Sequence, residues 1–279
     1  MGNIKDIWKQ TAKRLEKVYT PGEAEAISFT LLIDVYGMTR EDILLNEGSP
    51  IDGVHLETLV TRLMDFEPIQ YVTQTAYFYN RQFKVDPSVL IPRPETEELV
   101  QLVIQQDLND GSRILDVGAG SGCIAITLGL ETRGKVQATD VSKDALDIAI
   151  HNAKVYKADV TFHLHDILKG GFVSNSFDVL VSNPPYIPEA DRSIMHKNVL
   201  HHEPELALFV PDEDALLFYR RLAKVGTESL TDGGKIFLEI HENFGEDVGD
   251  LLQRYNYTSV QIHKDMQGKQ RIASAIWNS

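Results

Sequence analysis

The stretch Arg113-Ile114-Leu115-Asp116-Val117-Gly118-Ala119-Gly120-Ser121-Gly122-Cys123-Ile124-Ala125-Ile126 decides the fold. It begins as a buried strand, turns through three glycines and continues as an apolar helix, a context in which glycine lets the backbone turn sharply and lets a ligand approach it. The rest of the chain beyond Ser112 repeats the alternation. Strands are expected at 113–117, 136–140, 160–163, 177–181 and 235–240 with helices between them, then two closing strands at 259–263 and 271–277. Such alternation predicts an α/β fold, a mostly parallel sheet covered by helices on both faces. Only a short loop at Gly268 separates the closing strands, so they must pair as an antiparallel hairpin, because a parallel crossover needs a dozen or more residues. The expected sheet is therefore seven-stranded and mostly parallel, ending in an antiparallel hairpin.

Upstream the pattern is helical. Ile4, Ile7, Trp8, Leu15 and Val18 recur at helical spacing until Pro21-Gly22 interrupts them, and a second helix over 24–35 should stop at Gly37. Thr39 followed by Asp42 has the form of a helix N-cap, and Leu56, Leu59, Val60, Leu63 and Met64 mark another helix that ends before Pro68. Residues 1–75 thus read as a small N-terminal helical bundle. Tyr77, Tyr79, Phe83 and Val85 alternate about Asn80-Arg81, predicting a β-hairpin that serves as a linker over 76–93. In Ile91-Pro92-Arg93-Pro94-Glu95-Thr96-Glu97 two prolines impose a stiff, extended path before a helix begins near Glu97, opening the main domain at 94–279.

Composition narrows the function. A chain of 279 residues is long enough for one catalytic domain and a smaller companion. Apolar residues make up 43% and charged residues 24%, and no apolar run is long enough to cross a bilayer, so the expectation is a cytoplasmic protein not bound to membranes; a monomer is expected without a sequence signal that fixes it. Cys123 is the one cysteine, which rules out an internal disulfide and reads as a small buried residue. With 27 basic against 41 acidic residues the net charge of −14 opposes generic attraction to DNA or RNA, so no direct nucleic-acid partner is expected.

A dinucleotide fingerprint would require glycine where this chain has Cys123, so Gly118-Ala119-Gly120-Ser121-Gly122 suits a compact nucleoside cofactor better. Asp140 ends the second strand, where a carboxylate can accept both ribose hydroxyl hydrogens. Asp166-Ile167 ends the third strand, where the acid could receive the adenine amine and Ile167 could pack on the ring; equally, Asp166 could simply cap the next turn. The candidate cofactor residues are Asp116, Gly118, Ala119, Gly120, Ser121, Gly122, Asp140, Asp166 and Ile167.

The strand at 177–181 runs into Asn183-Pro184-Pro185-Tyr186. In open parallel sheets ligands bind beyond the carboxyl ends of the strands, so this loop should face the glycine turn. A stiff turn explains the prolines but not the polar Asn183 together with Tyr186. Asn183 can both accept from and donate to a planar amide, the Pro184 carbonyl can accept a second N–H, and Tyr186 can stack on the planar group and tolerate a nearby cation. That set suits methyl transfer from the sulfonium of S-adenosylmethionine to a planar nitrogen, which needs in-line placement and no strong base. Asn183, Pro184 and Tyr186 are the candidate catalytic residues. Asn183, Pro184, Pro185 and Tyr186 are the candidate substrate contacts.

Beyond these motifs, Glu67-Pro68-Ile69-Gln70-Tyr71, Val89 to Glu97, His202-Glu203-Pro204-Glu205-Leu206-Ala207-Leu208 and Lys264-Asp265-Met266-Gln267-Gly268-Lys269-Gln270-Arg271 complete a pattern over nearly the whole chain. It closely resembles the protein-(glutamine-N5) methyltransferases, in the branch that modifies peptide chain release factors. Asn-Pro-Pro-Tyr alone would suit an adenine-N6 DNA methyltransferase equally; the Ile91–Glu97 block and the N-terminal bundle decide between them. The resemblance implies a Rossmann-like class I fold and S-adenosylmethionine as cofactor, touched by the glycine turn, Asp140 and Asn183. It implies a glutamine pocket at Asn183–Tyr186, Arg93 on a segment lining the cleft, and a helical domain that docks a release factor by its Gly-Gly-Gln tip, modulating translation termination. Three positions depart from the family pattern: Gln74 and His241 stand where glycine is usual, and Phe244 where glutamine is common.

Other signals carry less. His163 and His165, and His201-His202-Glu203, have metal-ligand chemistry, but sulfonium methyl transfer needs no metal and adjacent histidines diverge on a helix or strand, so no metal is expected. Glu95, Glu97 and Glu98 read as charge complementing a helix N-terminus. A ribosomal-protein glutamine, or a non-catalytic binding role, are the remaining alternatives; the intact glycine turn, Asp140 and Asn183 argue against the latter.

Overall fold

In a computed structural model of the chain, residues 3–47, 51–106, 108–170 and 176–279 are described. The chain divides into two compact units, Met1–Thr75 with Met195–His202, and Ala76–Ile194 with Glu203–Ser279.

Five helices open the chain: α1 (Ile4–Leu15), α2 (Pro21–Tyr36), α3 (Arg40–Leu45), α4 (Gly53–Met64) and α5 (Ile69–Thr73). Pro21, which interrupts the first helical pattern, starts α2, because the first helical position has no backbone bond for proline to lose. Thr20 and Glu23 form a reciprocal capping box there, and Thr39 and Asp42 form another at α3. Leu15, Leu31, Leu59, Leu63 and Val72 make one core of the smaller unit, and Ile4, Leu32, Met38 and Ile43 a second. The Glu67–Tyr71 block is local architecture: Glu67 accepts from Arg62 at 2.5 and 2.7 Å, and Tyr71 is buried. Helix α5, missed in the sequence, is too short to show periodicity, and it ends at Gln74 in the left-handed region, φ 56°.

The strands β1 (Thr75–Phe78) and β2 (Arg81–Lys84) flank Tyr79-Asn80, whose φ values of 49° and 58° are those of a two-residue hairpin turn. Expected as a linker, this hairpin packs into the larger unit from Ala76 onward. Phe78 and Phe83 are buried in its core, Lys84 N donates to Asn152 Oδ1 at 2.8 Å, and Tyr79 N donates to Glu97 Oε1 at 2.9 Å.

Next come α6 (Pro94–Ile104), β3 (Arg113–Val117), α7 (Cys123–Glu131), β4 (Lys135–Asp140), α8 (Lys143–Tyr156), β5 (Val160–Leu164) and β6 (Phe177–Ser182). A two-residue strand β7 (Ile187–Pro188), the short helix α9 (Lys197–His202), β8 (Phe209–Val210), α10 (Leu217–Ser229), β9 (Leu230–Glu239), α11 (Gly245–Arg254), β10 (Tyr257–Lys264) and β11 (Gln270–Trp277) follow. The main sheet has seven strands in the order β10-β11-β9-β6-β3-β4-β5. From β5 to β9 every pairing is parallel, and β11 is antiparallel to both β9 and β10. This is the α/β sheet with the closing hairpin expected from the alternation. Its two apolar layers centre on Leu99, Ile126 and Val179 on one side and on Leu115, Leu180 and Leu222 on the other. The strand order reverses between β3 and β6, which opens a crevice at their carboxyl ends.

Left-handed positions give two opposite expectations. Replacing Gln74 by glycine removes a strain of about 1–2 kcal/mol and adds back part of it as chain entropy, so Gln74→Gly should raise stability by up to about 1 kcal/mol. Gly122, φ 82°, has no such freedom, since a Cβ there would lie 2.9 Å from Ile126 Cδ1 and 3.1 Å from Ala149 Cβ. Strain and overpacking together should cost Gly122→Ala about 2–4 kcal/mol. Urea unfolding midpoints of both variants measure the two signs.

Candidate active site

Strand β3 ends in Val117, and the turn that follows is held by two backbone bonds, Gly118 N and Ala119 N both donating to Thr139 O at 2.8 and 2.9 Å. Gly118, Gly120 and Gly122 have φ values of 84°, 52° and 82°. A turn with three left-handed residues is open to glycine with little strain, which is why the spacing Gly-x-Gly-x-Gly is required. Asp140 at the end of β4 is bound from both sides: Gly120 N donates to Oδ2 at 2.8 Å and Ser142 N to Oδ1 at 2.9 Å. Each carboxylate oxygen keeps further acceptor capacity. Burial raises the Asp140 pKa, and these N–H groups oppose the rise.

Beneath the turn Asp116 is fully buried, and neither of its carboxylate oxygens has a hydrogen-bond partner among the described residues. Burial, opposed by the nearby Ala125 N–H and reinforced by the Asp140 charge, pushes its pKa well above the usual carboxylate range. Nearby Cys123 is buried and its thiol is pushed up to about 12, so it is an inert small side chain.

A cavity of about 390 Å³ lies over this turn. Its lining brings together Gly118, Ala119, Gly120, Ser121, Asp140, Asp166, Ile167, Asn183, Pro184, Pro185 and Arg93, most of the residues singled out in the sequence. Asp116, Gly122 and Tyr186 are not in the lining. Gly122 shapes the turn, and Asp116 lies below it. Asp166 lines the cavity and also accepts from Leu168 N at 3.0 Å with Lys169 Nζ 3.0 Å away, which lowers its pKa.

Tyr186, expected to present its ring to a planar group, follows the cavity-lining prolines and has a partner for its hydroxyl. Its hydroxyl donates to Glu239 Oε1 at 3.0 Å, and burial with the Glu239 charge raises its pKa well above normal. Glu239, 1% exposed at the end of β9, also accepts from Thr96 Oγ1 at 2.6 Å. Thr96 Oγ1 in turn is 3.2 Å from Asn183 Nδ2. Thr96 and Glu239 therefore belong to the site, although the sequence reading gave neither a role; no local pattern marks residues that meet from 143 positions apart.

Glu203, part of the cluster with metal-ligand chemistry, has a different use. Its side chain is nearly fully buried, accepts from Ile91 N at 3.2 Å and pairs with Arg93 at 2.5 Å. It thereby fixes the proline-stiffened segment that lines the cavity. His202 bonds to Asp65 O at 3.1 Å within the smaller unit, and among the described residues no group of three or more His, Cys, Asp or Glu is placed to hold a metal. His241 and Phe244, both departures from the family pattern, pack on each other with ring centroids 4.8 Å apart, and His241 also meets the Tyr186 ring edge-on at 6.1 Å. One departure thus supports the other.

The comparisons agree with this geometry. The "Methyltransferase small domain" profile matches residues 96–206, and the "PrmC N-terminal domain" profile matches residues 6–73. A methyltransferase from Pyrococcus furiosus shares the fold at TM-score 0.54 and 20% identity, over 72% of this chain and 91% of that one. The release factor glutamine methyltransferase of Bacteroides thetaiotaomicron is 44% identical over 94% of this chain and 95% of its own length. That of Flavobacterium psychrophilum is 38% identical over 96% and 97%. With a crevice built from the Gly118–Gly122 turn and the Asn183 loop, and relatives this similar along their whole length, the chain belongs to the release factor glutamine methyltransferase family.

Proposed function

We propose that this chain transfers a methyl group from S-adenosylmethionine to the side-chain amide nitrogen, N5, of the glutamine in the Gly-Gly-Gln segment of peptide chain release factors, modulating translation termination. The observation that carries this is the single cavity in which Asn183, Pro184 and Pro185 face the same space as the glycine turn and Asp140.

The residues fit the cofactor. Asp140 would take the ribose hydroxyls, the backbone at Gly118 and Gly120 leaves room for close approach, and Ile167 with Asp166 would hold the adenine. When bound, S-adenosylmethionine supplies an electrophilic methyl on a sulfonium.

The chain's own part is placement. Asn183 Oδ1 and the Pro184 carbonyl accept the two N–H bonds of the glutamine amide, and this holds the nitrogen in line and keeps electron density on it as the amide plane distorts. The two prolines fix the loop so that neither acceptor has to be ordered during reaction. Tyr186, held by Glu239, supports the loop from behind. Arg93, held by Glu203, borders the cavity, where its charge can meet an acceptor on the incoming segment.

The helical unit, residues 1–75, is the docking element for the release factor, and the catalytic unit begins with the hairpin at Ala76. The protein works as a cytoplasmic monomer on a protein substrate, without direct nucleic-acid or membrane contact. The net charge of −14 disfavours an adenine in DNA as the acceptor, and among the described residues no helix is long and apolar enough to cross a membrane.

Incubated with labelled methyl donor and a release factor, the parent protein should label the protein substrate, and Asn183→Ala should slow transfer about 100-fold or more, the usual cost of one lost oriented polar contact in a transition state. Calorimetric binding of S-adenosylhomocysteine to Asn183→Ala should persist. Turnover near the parent rate would refute the role given to this amide.

A further inference from the structure

An asparagine amide presents an oxygen or an NH₂ to its neighbours depending on which way it is turned, and only one orientation serves a substrate that brings N–H groups. We infer that Thr96 and Glu239 are positioning residues that set the direction of the Asn183 amide, turning its oxygen toward the glutamine nitrogen. The inference rests on the acceptor role proposed above for Asn183.

The polarity of the chain of bonds gives the reason. Glu239 is buried at the end of β9 and, as a carboxylate, can only accept. It faces two hydroxyls, Thr96 Oγ1 at 2.6 Å and Tyr186 OH at 3.0 Å, and both must donate to it. A threonine hydroxyl carries one hydrogen. With that hydrogen committed to Glu239, Thr96 can offer only lone pairs to Asn183, so the group facing it at 3.2 Å has to be the Asn183 NH₂. The opposite turn would set two oxygens against each other with no hydrogen between them, leaving the buried Thr96 oxygen facing an acceptor instead of a donor. Asn183 and Thr96 both line the cavity. The carbonyl end of the amide is therefore the end left for the substrate. Burial raises the Glu239 pKa, while the two hydroxyls and the charge of Arg271 favour its ionised, accepting form.

The isosteric variant Glu239→Gln reverses the polarity without emptying the site. The Gln NH₂ would donate to Thr96, while its oxygen would keep the Tyr186 hydrogen. The Thr96 hydrogen would then point to Asn183 and draw the amide oxygen to itself, leaving NH₂ to confront the substrate N–H. Glu239→Gln should lower kcat about 100-fold with S-adenosylhomocysteine binding retained. Adding Asn183→Asp supplies an acceptor to Thr96 and a second one to the substrate. The double variant should therefore exceed Glu239→Gln in kcat by about tenfold or more, and should also exceed Asn183→Asp alone, in which two carboxylates contest one hydroxyl hydrogen. Thr96→Ser should keep activity and Thr96→Val should lose it to the same degree as Glu239→Gln, a pair that tests the role even if Glu239→Gln folds poorly.

Parental kcat in both Glu239→Gln and Thr96→Val, or a double variant no faster than either single, overturns the positioning role. If these variants are parental while Asn183→Ala is inactive, the acceptor role of Asn183 stands and only its orientation by Thr96 and Glu239 fails. If Asn183→Ala itself turns over at the parent rate, both fail.

Discussion

Two adjacent parallel strands ending at the same level are the constraint from which the rest of the site follows. Leu115 pairs with Leu180 and Val117 with Ser182, and Ser182 Oγ donates to Val117 O at 2.6 Å just where both strands stop. The glycine turn leaves from one strand and Asn183-Pro184-Pro185-Tyr186 from the other, so they emerge abreast. A Cβ on Gly118 would come within 3.8 Å of the Asn183 carbonyl oxygen. A slip of one residue would turn every side chain of β3 or β6 to the other face, placing Asp116 in an apolar layer and Asn183 out of reach. The apolar residues on both faces of these strands hold the register and, through it, the distance between donor site and acceptor loop.

Within that frame three buried carboxylates are treated differently, and the differences track their tasks. Glu203 has a cationic partner, Arg93, and a backbone donor, so it serves to pin the Ile91–Arg93 segment. Glu239 receives two hydroxyls and imposes a direction on the hydrogen bonds that reach Asn183. Asp116 has no hydrogen-bond partner among the described residues, and its acceptors lie under the turn. Burial raises its pKa, which favours the neutral acid, a form that costs less to bury than a charge.

What the sequence made legible was local. The three glycines, the acid at the end of β4 and the proline loop each lie within one strand-loop unit, so their spacing reports their chemistry directly. The closing hairpin followed from the brevity of the loop at Gly268. Reasoning by residue type did not reach the partner of the Tyr186 hydroxyl, Glu239, or that of Glu203, which is Arg93, 110 positions earlier. Thr96 and Glu239 carry no local signal at all, because their meaning arises when α6 and β9 converge on one loop. The hairpin β1–β2 was legible as a hairpin, but its burial was not, since the Asn152 amide that receives it belongs to α8. Gln74 was legible as a departure, and the left-handed backbone explains why glycine suits that position.

The central claim is that this crevice methylates a glutamine side chain on a protein rather than an adenine in DNA. Labelled S-adenosylmethionine offered in parallel with an intact release factor, a ribosomal-protein mixture and adenine-containing DNA tests it most directly when followed by peptide mass spectrometry. The account predicts one methyl on the glutamine of the release factor's Gly-Gly-Gln segment. Label confined to DNA, or to the ribosomal proteins, would contradict it.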